Sequence, residues 1–118
     1  MKEYTIVRTK KKILARKVTI CASIFSRTLG LMFHPKLNGG EGIMLVANKE
    51  SKAQSSIHSF FVFFPFDALW LNEEKILVDK RTVQPFRAFI SPKFSAKYVL
   101  ELSKGMGEGL SIGEKIEF

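Results

Sequence analysis

"HSFFVFFPFDALWL" occupies residues 58–71 and carries five of the chain's eleven phenylalanines around a single acid, Asp67. Aromatic and β-branched residues favour extended backbone, so the chain is expected to be extended from Ile57 through Leu71. Pro65, which lacks an amide donor, should mark a bulge or strand break. The apolar stretch is shorter than the ~20 residues a bilayer span needs, and Pro65 and Asp67 interrupt it, so it reads as a core element with no membrane partner. An isolated ionised carboxylate in such surroundings is costly. Asp67 must therefore be paired, hydrogen-bonded to backbone amides, or held protonated.

Working outward, "FDALWL", the turn "NEE" and "KILVDKRTV" predict a hairpin. "QPFRAFISPKFS" contains two prolines and reads as an irregular crossing. "AKYVLELS" alternates, with Tyr98, Leu100 and Leu102 on one face and Lys97, Val99 and Glu101 on the other. The glycines of "KGMGEGLSIGEKIEF" predict turns before a terminal strand near Glu114 to Phe118. Upstream, "ANKESKAQSS" is a polar loop and "IMLV" a short buried strand after the turn "LNGGEG". Ser23 can cap a helix over about Ile24 to Phe33, in which Phe25, Leu29 and Met32 share one face, and Pro35 ends it. Gly30 is its weak point, which points to close packing of another element there. "EYTIVR" and "KKILARKVTIC" predict an edge hairpin, because neither face of the second strand is cleanly apolar.

A chain of 118 residues is enough for one hydrophobic core. Its 46% apolar and 25% charged residues are ordinary globular composition, so the whole chain is expected to fold. The one cysteine, Cys21, excludes an internal disulfide, and the N-terminus lacks a signal-peptide core, which together favour the cytoplasm. The net charge of +8 is uneven: residues 1–17 hold seven basic side chains against Glu3, whereas residues 18–118 hold twelve basic and ten acidic ones.

"RTLGLMF", "GGEGIMLV", "PFDALWLNEEKILV", "VQP", "YVLELSKG" and "SIGEKI" occur in an order that resembles the DUF192 family, also called UPF0127, over about residues 12 to 118. Arg27, Gly30, Leu31 and Met32 fit the family's Arg-x-x-GLM pattern, and Gly42, Ile43, Met44 and Leu45 its following strand. Pro65 and Asp67 match its Pro-x-Asp. Leu100, Glu101, Leu102 and Gly105 match the Leu-Glu-Leu block and its glycine. Where the family usually has a Phe-Trp-Met-Lys-Asn-Thr-like stretch, this chain reads "IHSFFVFF", so no role of that lysine or asparagine carries over. The resemblance implies one small, mainly β (α+β) domain over residues 1–118, an antiparallel β sandwich or barrel with one helix near its N-terminal side. It implies no known reaction.

Two readings of Asp67 follow. In the first it serves the fold, accepting hydrogen bonds from amides freed at the Pro65 break or pairing with Arg27. In the second, Arg27, Asp67 and Glu101 converge at one end of the sheet, with His58 beside Asp67, and bind an unidentified small molecule or protein partner. Paired use of Asp67 and Glu101 in a hydrolase is the chemical extension of that reading. His34 reads as a helix-end residue. No spacing of Cys21, His34 and His58 matches a metal site, no cofactor is called for, and no nucleophile motif is present. The alternative to a small-molecule site is weak, nonspecific nucleic-acid binding through Lys10, Lys11, Lys12, Arg16 and Lys17 on the edge hairpin. The phenylalanines are expected to pack as core rather than to stack on bases.

Overall fold

The structure, a computed structural model, describes residues 3–118 apart from the side chain of Phe25. Lys2 of the basic N-terminus and the Phe25 position of the expected helix face thus lie outside the described residues. The elements are β1 (Tyr4–Arg8), β2 (Ile13–Cys21), α1 (Ile24–Leu29), β3 (Glu41–Ser51), β4 (Phe66–Leu71), β5 (Leu77–Val83) and β6 (Ala96–Ser103). The strands form one six-stranded sheet in the order β1-β2-β3-β6-β4-β5. The fold is mainly β with one short helix near its N-terminal side, as the sequence implied. Within that class the sheet stays open, and β2 and β3 pair in parallel while the other four pairings are antiparallel.

β1 is an edge strand and forms the expected hairpin with β2. A bulge explains why β2 shows no clean alternation. The amides of both Arg16 and Lys17 donate to the Gly40 carbonyl at 2.9 Å, leaving Arg16 and Lys17 exposed next to the buried pair Leu14 and Ala15. β3 runs on through Ser51, so half of the expected loop "ANKESKAQSS" is strand; it pairs with β6 from Gly42↔Leu102 to Val46↔Tyr98 and, past an irregularity, again at Ser51↔Ala96.

β4 is buried along its whole length and lies between β6 and β5. Because side chains alternate across a strand, Phe66, Ala68 and Trp70 enter one core with Leu31, Ile43, Leu45 and Val99. Leu69 and Leu71 enter the opposite core with Val18, Met44, Leu100 and Ile116. Trp70 is fully buried, and its indole Nε1–H donates to the Ser55 carbonyl at 2.8 Å.

The extended run ends sooner than expected. Residues 58–65 are irregular, and Phe60, Phe61 and Phe63 are exposed instead of packed as core. Both neighbours of β4 run out at Phe66, which pairs with Val83 on one side and Ser103 on the other, so residues before Pro65 have no ladder to join. Their backbone is held elsewhere. Ile57 and Ile90 exchange amide hydrogen bonds, and Ser59 Oγ donates to the Gln84 carbonyl at 2.6 Å.

The helix also stops early, at Leu29, because Gly30 adopts φ 44° and caps it. Ser23 caps the other end, accepting from the Ser26 amide at 3.0 Å. The expected C-terminal strand is reduced to two isolated bridges, Arg8↔Glu117 and Ile76↔Lys115, which tie the C-terminal segment to residues at the two edges of the sheet. Among the described residues no helix is long and apolar enough to cross a membrane.

Candidate functional site

The residues proposed to converge are divided by the sheet. Asp67 and Glu101 are neighbours in register, since Asp67 pairs with Leu102 and Ala68 with Glu101. Their side chains nevertheless project from opposite faces. Arg27, His58 and Glu101 line one cavity of about 230 Å³, and Asp67 lines another of about 240 Å³ with Lys80, Thr82 and Gly107. With the sheet between them, the two carboxyl groups cannot flank one scissile bond. The paired-carboxylate hydrolase is thereby excluded.

Asp67 serves the fold, although through donors other than those expected. It is 4% exposed. Thr82 Oγ1–H donates to Oδ1 at 2.8 Å, and the amides of Gly105 and Gly107 donate to Oδ2 at 3.0 and 2.8 Å. The partners come from β5 and the glycine loop, not from the Pro65 break. No pairing with Arg27 forms, since Arg81–Asp79 at 3.3 Å is the one ion pair among the described residues. Lys80 grips the same loop, donating to the carbonyls of Gly107 at 2.9 Å and Leu110 at 2.6 Å. Gly107 suits this closeness: a Cβ there would lie 3.0 Å from Leu69 Cδ2 and 3.2 Å from Asp67 Oδ2, so a neighbour would have to give way.

Glu101 is the opposite case. It is 3% exposed, on the face of β6 that also carries Lys97 and Val99. No hydrogen bond or ion pair reaches its carboxyl group among the described residues, yet no fully occluded polar side-chain atom there lacks a partner. The carboxyl group must therefore be reached from the cavity it lines. Burial pushes its pKa up from 4.5 to about 8, so the neutral acid, a hydrogen-bond donor as well as an acceptor, predominates at neutral pH.

The cavity lies between the α1 segment and the sheet, with walls from residues 27–32, from Leu45 and Ala47 on β3, and from residues 54–58. Gly30 gives close access to the acid, because a Cβ there would stand 3.5 Å from Glu101 Oε1. This is the close packing that the glycine foretold. Arg27 comes from the last turn of α1 and Lys97 from β6, so two cations share the walls with one buried acid.

His58 fastens the walls together. Its Nδ1 accepts from the Phe60 amide at 3.1 Å, which leaves the proton on Nε2 to donate to the Thr28 carbonyl at 3.1 Å. Both ring nitrogens are thus engaged, and His58 lies in the Glu101 cavity rather than beside Asp67. His34 is exposed beyond the helix end.

Two residues were missed by sequence reasoning. Lys97 shares a strand face with Glu101, and that parity was visible in "AKYVLELS". Asp79 is buried, accepting from Arg81 and from the Lys93 amide at 3.0 Å. Its role depends on a distant loop, and no local pattern announces it. Among the described residues no three His, Cys, Asp or Glu side chains gather as a metal site would need.

Comparison with known proteins adds the lineage. The model of the family DUF192, "Uncharacterized ACR, COG1430", matches residues 5–118. A UPF0127 protein of Thermococcus sibiricus is 31% identical over 115 residues, covering 96% of this chain and 73% of that protein. One from Pyrococcus abyssi is 33% identical over 104 residues, covering 86% of each. Among solved structures, a protein of unknown function from Novosphingobium aromaticivorans superposes with a TM-score of 0.86 at 16% identity, over 99% of this chain and 85% of that one. A Sinorhizobium meliloti protein does so with a TM-score of 0.85 at 21% identity, over 99% and 93%. These two likenesses speak to the fold alone. With the family model spanning nearly the whole sequence and relatives above 30% identity, the chain belongs to the DUF192 family, also called UPF0127.

Proposed function

We propose that the protein is a noncatalytic module that binds a small polar or anionic molecule in the cavity around Glu101. The observation that carries this reading is a nine-tenths-buried acid with no hydrogen-bond or ion-pair partner among the described residues, opening into a cavity that two cations also line. Buried polar groups are nearly always satisfied, and here a bound molecule would supply the missing partner. A protonated Glu101 donates to an acceptor, while Arg27 and Lys97 favour negative charge, so small carboxylates, phosphates and sugars are the classes to try. His58 holds the walls, and Asp67 anchors the sheet from the far side. The single cysteine keeps the expected placement cytoplasmic.

A thermal-shift screen of those compound classes tests the reading. A genuine ligand raises the melting temperature of the wild type and loses that effect in Arg27→Ala and Glu101→Gln. Stabilisation that is unchanged in both variants places binding elsewhere and removes the proposal.

A second reading, weak nucleic-acid binding, is favoured by the exposure of Lys10, Lys11, Lys12, Arg16 and Lys17 along one hairpin. Affinity for DNA and RNA should then fall steeply with salt. A flat salt response, or none of the expected loss on replacing Lys10–Lys12, rejects it.

A further inference from the structure

Phenylalanines expected in the core are displayed outside it. Phe33, Phe61, Phe63 and Phe86 are 46 to 63% exposed and touch in series. Phe33 stacks on Phe61 at 5.1 Å, Phe61 meets Phe86 edge-on at 6.0 Å, and Phe86 meets Phe63 edge-on at 5.3 Å. Phe33, Phe61 and Phe86 have φ of 64°, 57° and 59°, in the left-handed region that bulky side chains avoid. Only one other described non-glycine residue, Lys75, has a positive φ. The strain is concentrated where aromatic rings are shown to solvent, the usual mark of a functional surface.

The segments that carry the rings are one-sided in charge. Residues 21–40, 51–66 and 80–100, which include all four rings, hold eight basic side chains and no exposed acid, indeed no Asp or Glu of any kind. The remainder of residues 18–118 holds four basic and ten acidic side chains. The near-neutrality of that region as a whole hides this separation.

We infer that this aromatic patch is the docking face for an anionic membrane surface, with the phenylalanines entering the headgroup and acyl boundary and Arg87 and Lys36 among the cations meeting the lipid phosphates. Three observations choose this occupant. Each ring is about half exposed or more, and none lines any of the five cavities found among the described residues, so they protrude instead of forming the groove that a peptide helix would need. Rings packed on one another leave fewer open faces for bases to stack on. A second copy would bring like-charged segments together. Protruding apolar side chains carried on basic, acid-free segments, with Arg87 next to Phe86 and Lys36 three residues after Phe33, suit a lipid interface, where apolar burial and attraction to anionic lipid act together. This departs from the expectation of no membrane partner, and it requires no spanning segment.

The experiment is co-sedimentation of the full chain with phosphatidylcholine vesicles, with and without phosphatidylglycerol, at several salt concentrations. Binding should require the anionic lipid and weaken with salt. The variant Phe61→Ser/Phe63→Ser/Phe86→Ser should lose roughly tenfold or more in partitioning while keeping a wild-type circular dichroism spectrum. A second variant, Lys36→Glu/Arg87→Glu, leaves the rings in place and should lose binding to the phosphatidylglycerol-containing vesicles. Equal binding to both vesicle types, retention by the triple variant, or concentration-dependent dimerisation abolished by the same serines would overturn the proposal. So would single-stranded oligonucleotide binding that depends on the rings while vesicles are ignored.

Discussion

Replacing Glu101 with glutamine should make the protein more tolerant of alkali. The buried acid keeps its proton until about pH 8 in the folded chain, whereas in the unfolded chain it releases it near 4.5. Between those values the native state holds one more proton than the unfolded state, so rising pH draws the chain toward unfolding. The contribution is harmless below pH 4.5, grows through the interval, and levels off above about 8. The interval corresponds to about 5 kcal/mol at most, an upper figure because solvent reaching the carboxyl group through the cavity would lower it. For a domain of this size, 1 kcal/mol moves the melting temperature by about 4 °C. Glutamine keeps the shape and cannot ionise. Its melting temperature should therefore sit close to wild type at about pH 5 and exceed it by on the order of 10 to 20 °C at about pH 9. All other titrating groups cancel in the difference between the two proteins. A difference constant within about 2 °C across that range would refute the assignment of Glu101 as a desolvated, unpartnered acid.

Asp67→Ala strands the Thr82 hydroxyl and two loop amides and should cost about 2 to 4 kcal/mol in urea unfolding, with Asp67→Asn milder because one carbonyl acceptor remains. Gly107→Ala should cost about 1 to 3 kcal/mol by crowding Leu69 and Asp67, and Leu69→Ala in the same chain should recover part of the steric loss. His58→Ala removes two hydrogen bonds worth about 1 kcal/mol each, and amide exchange should quicken in α1 and residues 57–64 while β4 is unaffected.

The long strands were legible because their alternation is local: β4, β5 and β6 fall where "FDALWL", "KILVDKRTV" and "AKYVLELS" place them. Residues 58–65 misled because high β propensity forms a strand only where a neighbour offers a ladder, and β5 and β6 end at Phe66. The helix end was written in Gly30, which caps a helix more readily than it sits inside one. Arg27 and Glu101 share a cavity because each lies on an element whose facing is regular, whereas His58 reaches it from the irregular segment before β4. Asp67 was misassigned to their site because strand parity separates faces only once register is known, and the Asp67↔Leu102 pairing depends on residues 35 positions apart. The exposed rings escaped for a simpler reason: composition cannot tell a phenylalanine that fills a core from one held outward by the backbone.

The parallel pairing of β2 with β3 carries a last consequence. Strands that run in the same direction oblige the chain leaving Cys21 to double back before re-entering at Glu41, and this return path is the stretch that roofs the Glu101 cavity. A guest lodged beneath it would act as a rivet through the β2–β3 crossover. Occupancy would then be felt as slower detachment of β2 and its N-terminal neighbour, far beyond the atoms the guest touches.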